Sequence, residues 1–187
     1  MNEFFLNPAM QLEPGGPWWQ VFTCHFTHWT YEQLAWDAIA FLALGAACAR
    51  RHRAAFCATL LASAVLVPLA VLVLAPEVIA YRGLSGLDSA LFVLLLGTVE
   101  RRALARRNGN GGLKPAAPLV IAVCGIAFIA KIAFEMRTGA TVFAGSVAPV
   151  PVAHIAGAVA AVLVLLVQRF CHREHFLPDR VAALEKS

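Results

Sequence analysis

Charge is scarce in this chain, and its first 49 residues contain no lysine or arginine at all. Only 14% of the 187 residues are charged while 60% are hydrophobic, a balance that soluble domains of this size do not keep. The chain therefore reads as an integral membrane protein, long enough for five or six spans of about 20 residues each. Its basic residues form short clusters beside apolar runs with no interleaved aromatics, which argues against a nucleic-acid partner. No CxxC pair occurs among the five cysteines at 24, 48, 57, 124 and 171. An odd count lying mostly in or beside apolar segments argues against a disulfide framework and a zinc site. The cysteines read as small apolar filler, with Cys24 alone expected on the outer side. Residues 1–20 have no basic residue and no apolar core but do contain Glu3, Glu13, Pro8, Pro14 and Pro17, so they do not form a signal peptide. No internal repeat is visible, which weighs against an inverted-repeat transporter, and no cofactor or metal is expected.

What is present is apolar and helical. Runs at roughly 31–49, 54–75, 85–99, 116–134 and 151–168 predict five transmembrane helices, the third short, the second carrying Pro68. Arg50, Arg51 and Arg53 follow the first helix. Arg101, Arg102, Arg106, Arg107 and Lys114 follow the third, and Arg169, Arg173, Arg180 and Lys186 follow the fifth. Twelve of the fifteen basic residues thus fall on one side, Arg82 and Arg137 on the other, and Lys131 within a helix. The positive-inside rule places the N-terminus outside and the C-terminus in the cytoplasm. Residues 1–27 are then an outer segment, 28–170 the membrane domain and 171–187 a cytoplasmic tail. Pro17-Trp18-Trp19 suits an interfacial anchor, and the Gly-rich stretch after Arg107 a solvated basic connector.

On this topology two polar features enter the bilayer from the outer face on helices running the same way. Gly83-Leu84-Ser85-Gly86 opens the third helix and Ala153-His154-Ile155-Ala156-Gly157 lies near the start of the fifth. Polar residues at membrane depth are costly and mark candidate sites. A serine becomes a nucleophile when a base is in reach, and histidine is the commonest base. The glycines beside Ser85 allow a tight turn and close approach, and a helix N-terminus offers free N–H groups to an oxyanion. The plainer reading of Ser85 is a helix cap in a glycine packing motif. Gly157 and Ala161 form a small-residue stripe opposed by Gly86 and Ala90, so the two helices can approach closely enough for His154 to reach Ser85.

The run Tyr81-Arg82-Gly83-Leu84-Ser85-Gly86-Leu87-Asp88-Ser89-Ala90-Leu91, together with Ala153-His154-Ile155-Ala156-Gly157, resembles a rhomboid intramembrane protease. With Phe26-Thr27-His28-Trp29-Thr30 and Lys131-Ile132-Ala133-Phe134-Glu135, it most resembles the rhombosortase branch, over about residues 17–168. The resemblance implies an all-α polytopic bundle, here with five helices matching the second to the sixth of the usual six. It implies a Ser–His dyad without an acid, Ser85 as nucleophile and His154 as base and then acid. The expected substrates are transmembrane proteins of a bacterial inner membrane that end in a Gly-Gly motif, an apolar helix and basic residues. It also places His28, Gln33 and Asp37 near the oxyanion, with Gln33 and Asp37 standing where typical rhomboids have histidine and asparagine. Gln33 can donate through its amide. An ionised carboxylate opposes an oxyanion, which leaves Asp37 either to carry a proton or to pair with another polar group such as Lys131.

Lys131 and Glu135, four apart, read as an intrahelical ion pair, and Asp88 as a polar contact one turn below Ser85. The HxxH of His25 and His28 lacks a third metal ligand. The alternative to a protease is a rhomboid-fold pseudoprotease that binds transmembrane segments without cutting them. A transporter or channel would need polar residues along its whole length, and here they cluster in the outer half.

Overall fold

The computed structural model describes residues 4–108, 116–141 and 147–184, all helix, turn and loop apart from one isolated β-bridge. Two short 3-10 turns (Phe4–Leu6 and Pro8–Met10) and the single-turn α1 (Gln20–Thr23) precede five long helices: α2 (Tyr31–Arg51), α3 (Arg53–Leu74), α4 (Ser85–Asn108), α5 (Ala116–Thr138) and α6 (Pro151–Leu184). These are the five helices that the apolar runs predict. Four of them are long and apolar enough to cross a membrane. The fifth, α4, misses that composition because Asp88 opens it and Glu100, Arg101 and Arg102 stand near its far end. It is nonetheless the centre of the bundle, packed against α2, α3, α5 and α6. Leu87, Ala90, Leu91 and Leu94 are buried there.

Two helices outrun their predicted ends. α4 continues from the expected boundary near 99 to Asn108, and α6 continues through the predicted tail to Leu184. Charged residues end an apolar count, but the Arg, Glu, Ala and Leu of the α4 extension are good helix formers and give its backbone no reason to stop, whereas α6 runs on past Pro178, which helix propensity does not explain. The Gly-rich connector 109–115 lies outside the described residues.

Helix starts follow local chemistry. Thr30 caps α2 through its hydroxyl, which accepts from the Gln33 N–H at 3.1 Å, and Gln33 Oε1 accepts from the Trp29 N–H at 2.9 Å. This is a capping box shifted by one residue. His52 alone separates α2 from α3 and caps the latter, accepting from the Ala55 N–H at 3.2 Å. Pro68 is buried inside α3.

The two ends of the bundle differ. At one, Arg102 donates to the Arg51 carbonyl at 3.3 Å and Arg101 to Gln168 at 3.2 Å, so the basic ends of α2, α4 and α6 meet. At the other, the N-terminal segment covers the loop before α4. Leu12 and Tyr81 exchange backbone hydrogen bonds of 3.0 and 2.9 Å. Cys24 lies in the apolar cluster beneath, with Leu12, Val67, Val71, Tyr81 and Ala153. Burial pushes its thiol up to about 12, so it stays protonated and unreactive at physiological pH. Trp18, Trp19, Phe22, Phe26, Trp29 and Tyr31 are exposed around this end, a belt suited to the headgroup level. Large apolar side chains such as Leu61, Val73, Ile126 and Ile129 are exposed on the outer faces of α3 and α5, as hydrocarbon contact requires. The chain is a multi-pass membrane protein.

Candidate active site

Close helix packing builds the site. A Cβ placed on Gly157 of α6 would lie 1.9 Å from the Gly86 carbonyl oxygen and 3.3 Å from the Ala90 nitrogen of α4. Only glycine permits this contact, and Ala153, Ala160 and Ala161 are fully buried along the same face. The small-residue stripes read from the sequence are therefore the α4–α6 seam. Such seams supply van der Waals contact where lipid removes the hydrophobic drive between helices.

The seam brings His154, 7% exposed, against the first turns of α4. Its Nδ1 lies 3.0 Å from the hydroxyl of Ser89, not of Ser85, and that hydroxyl also bonds the Ser85 carbonyl at 2.9 Å. Ser85 and His154 line one cavity of about 920 Å³ together with Ser89 and Asp88. Ser89 is the site residue missed by the sequence reading. Its signal was the four-residue spacing from Ser85, which puts both side chains on one helix face.

The wall opposite is α2. Gln33 and Asp37 border the cavity, but their polar atoms are partly committed. Gln33 caps α2, and its amide Nε2 reaches the Arg82 carbonyl at 3.5 Å. Asp37 Oδ2 accepts from the Leu84 N–H at 3.3 Å and lies 3.3 Å from His28 Nε2. The pairing of Asp37 with Lys131, one of the two sequence alternatives, is not formed, because Lys131 is bound to Glu135 on α5 at 2.7 Å. His28 is fully buried behind Asp37 and is not on the cavity wall. The two histidines of the HxxH go to different partners, His25 donating to the Ala64 carbonyl at 3.0 Å.

The loop before α4 is held from several directions. Arg82 lies 4.2 Å over the Trp29 ring and donates to Gln11, Leu6 and His28 at 2.8, 3.2 and 3.3 Å. Gly83 follows with φ of 120°, and a Cβ there would meet Gln33 Nε2 at 2.8 Å and Asp37 Oδ2 at 3.1 Å. Gly83→Ala combines backbone strain with a clash, so a loss of about 1–3 kcal/mol is expected, read as a lower melting temperature in detergent. An unchanged melting temperature would show that the loop has room to rearrange.

α5 closes the third side. Phe128, Lys131, Phe134 and Glu135 line the cavity along with Trp36, Ala40 and Leu44 of α2, and α2 and α5 do not pack closely on each other. The family profile described as the rhomboid domain matches residues 15–169. The chain belongs to the rhomboid family. No curated protein and no solved structure matches it. Rhomboids are generally intramembrane serine proteases. In this rhomboid the matched span holds the whole cavity, from the Trp29 side of α2 to His154 of α6.

Proposed function

We propose that this rhomboid is an intramembrane serine protease in which Ser85 is the nucleophile and His154 the base. The observation that carries the reading is the hydrogen bond of His154 into the first turns of α4, on the wall of a cavity that α2 and α5 also line. Ser85 suits the nucleophile better than Ser89 does. As the first residue of α4 it lies among N–H groups with no helical acceptor, the helix ladder beginning with Asp88 N–H to the Leu84 carbonyl at 2.9 Å. An oxyanion on a carbonyl attacked by Ser85 therefore meets the positive end of the helix. Ser89 lies inside the helix, where backbone N–H groups are already used.

In the reaction, Ser85 Oγ attacks the scissile carbonyl as its proton passes to the ring nitrogen of His154 that faces α4. The tetrahedral oxyanion collapses, the C–N bond breaks, and the leaving amine takes the proton from His154. Water then repeats the sequence on the acyl-enzyme. The substrate we infer is a transmembrane segment preceded by Gly-Gly, as in rhombosortase substrates. Each glycine costs a helix about 1 kcal/mol relative to alanine, so such a segment unwinds readily and offers its carbonyls. The basic ends of α2, α4 and α6 support, by the positive-inside rule, a reading in which the opposite, site-bearing end faces outward from a bacterial inner membrane. Gln33 would border the bound peptide, whereas Gly83 and Gly86, expected beside the substrate from the sequence, are off the cavity wall: a Cβ on Gly86 would meet Val67 and the Ala153 carbonyl instead.

Co-expression with a Gly-Gly-tailed reporter tests the reading. A shortened product that disappears in His154→Ala is expected. Stable co-purification of an intact reporter would instead favour a pseudoprotease, a reading to which the Asp37 carboxylate at the Leu84 N–H lends its one structural argument.

A further inference from the structure

The dyad reading leaves Glu135 unused. This side chain of α5 is 2% exposed, deep against α6. One oxygen, Oε1, accepts from Lys131 at 2.7 Å, the pair visible in the sequence. The other, Oε2, is buried with no hydrogen-bond partner among the described residues and lies 3.4 Å from Nε2 of His154. Lys131 Nζ stands 3.3 Å from the same ring nitrogen.

The two α5 groups make opposite demands on Nε2. An ammonium only donates, so it favours a bare Nε2 and a hydrogen on Nδ1. A carboxylate only accepts, so it favours the hydrogen on Nε2. Nδ1 is the nitrogen that faces α4, and a base must present it unprotonated to a serine hydroxyl. Only the tautomer selected by Glu135 can do so, and in it the Ser89 hydroxyl must turn its single hydrogen from the Ser85 carbonyl to Nδ1.

We propose that Glu135, its free oxygen aimed by the Lys131 bond to the other, is a positioning residue that fixes His154 as the Nε2–H tautomer. This role rests on the protease reading above. When the serine proton moves to Nδ1, the Nε2 hydrogen stays on the ring and the imidazolium lies against the Glu135 carboxylate. When Nδ1 gives its proton to the leaving amine, the neutral Nε2–H ring is restored. Glu135 thus adds a third, positioning member to a site that the family resemblance describes as a dyad.

Glu135→Gln leaves Lys131 facing Nε2 and turns the ring to the unproductive tautomer. Its kcat on the reporter is expected to fall by about 10²–10⁴-fold with KM nearly unchanged. Adding Lys131→Met removes the competing donor and lets the glutamine oxygen accept from Nε2–H. The double variant is therefore expected to be at least about 10-fold more active than Glu135→Gln alone, a reversal that loss of a merely structural ion pair would not give. Independently of how the variants fold, ¹⁵N-histidine NMR of the unmutated protein, with the His154 signal assigned by its loss in His154→Gln, is expected to show Nε2–H. A His154 ring carrying its hydrogen on Nδ1, kcat of Glu135→Gln within about threefold of the parent, or a double variant no better than the single would each overturn the proposal. A parent protein that neither cleaves the reporter nor reacts with a fluorophosphonate would overturn the protease reading instead, and the NMR result would still report whether Glu135 sets the tautomer.

Discussion

Ser85→Ala abolishes fluorophosphonate labelling and lowers reporter cleavage by about 10⁴-fold or more, while Ser89→Ala keeps a tenth to a third of the parent rate. The first expectation follows from loss of the atom that forms the acyl bond, which no other group replaces. The second follows from the size of one hydrogen bond. Ser89 contributes the 3.0 Å contact that holds His154 Nδ1 against α4. A neutral hydrogen bond is worth about 0.5–1.5 kcal/mol net, and 1.36 kcal/mol is tenfold in rate. Losing it lets the ring swing within its pocket but leaves the Glu135 side of the ring in place. Labelling that survives in Ser85→Ala and vanishes in Ser89→Ala would transfer the nucleophile to Ser89.

The contrast between these serines marks what the sequence could and could not say. Helix number, the α4–α6 seam and the approach of His154 to the start of α4 follow from local pattern: apolar runs of spanning length and glycines at matching positions. Which α4 hydroxyl the ring meets depends on the axial offset of two helices whose contacting residues, Ser89 and His154, are 65 positions apart, and no local pattern sets that offset. Glu135 illustrates the same limit. Its pairing with Lys131 is an i,i+4 matter and was legible, whereas its second oxygen meets a neighbour from another helix. Gln33 is different, because its capping role was written in Thr30-Tyr31-Glu32-Gln33 and was obscured by the oxyanion role that the family resemblance implied. Asp37 could be placed beside the site but not assigned a partner, since His28 and the Leu84 N–H reach it only through the folded loop.

The seam itself supports the prediction with the largest structural effect. Gly157→Ala places a methyl group 1.9 Å from the Gly86 carbonyl oxygen, well inside the ordinary contact distance, and the obstacle is backbone rather than a side chain that can turn away. α6 must therefore move from α4 by more than an ångström, or one helix must rotate. Overpacking of this kind costs about 1–3 kcal/mol. The catalytic consequence is larger than that figure suggests, because His154 lies one turn before Gly157 and moves with it. A displacement of about 1 Å between reacting groups can cost 10²-fold in rate, so at least that loss is expected in reporter cleavage, alongside a lower melting temperature in detergent. Gly125→Ala on α5 provides the control, since among the described residues no atom beyond its own stretch of helix lies within 4 Å of its added Cβ. That variant is expected to match or exceed the parent in stability, because alanine favours helix over glycine by about 1 kcal/mol. If Gly157→Ala and Gly125→Ala behave alike, the seam is looser than its geometry indicates, and His154 must be held at α4 by its polar contacts with Ser89, Lys131 and Glu135 alone.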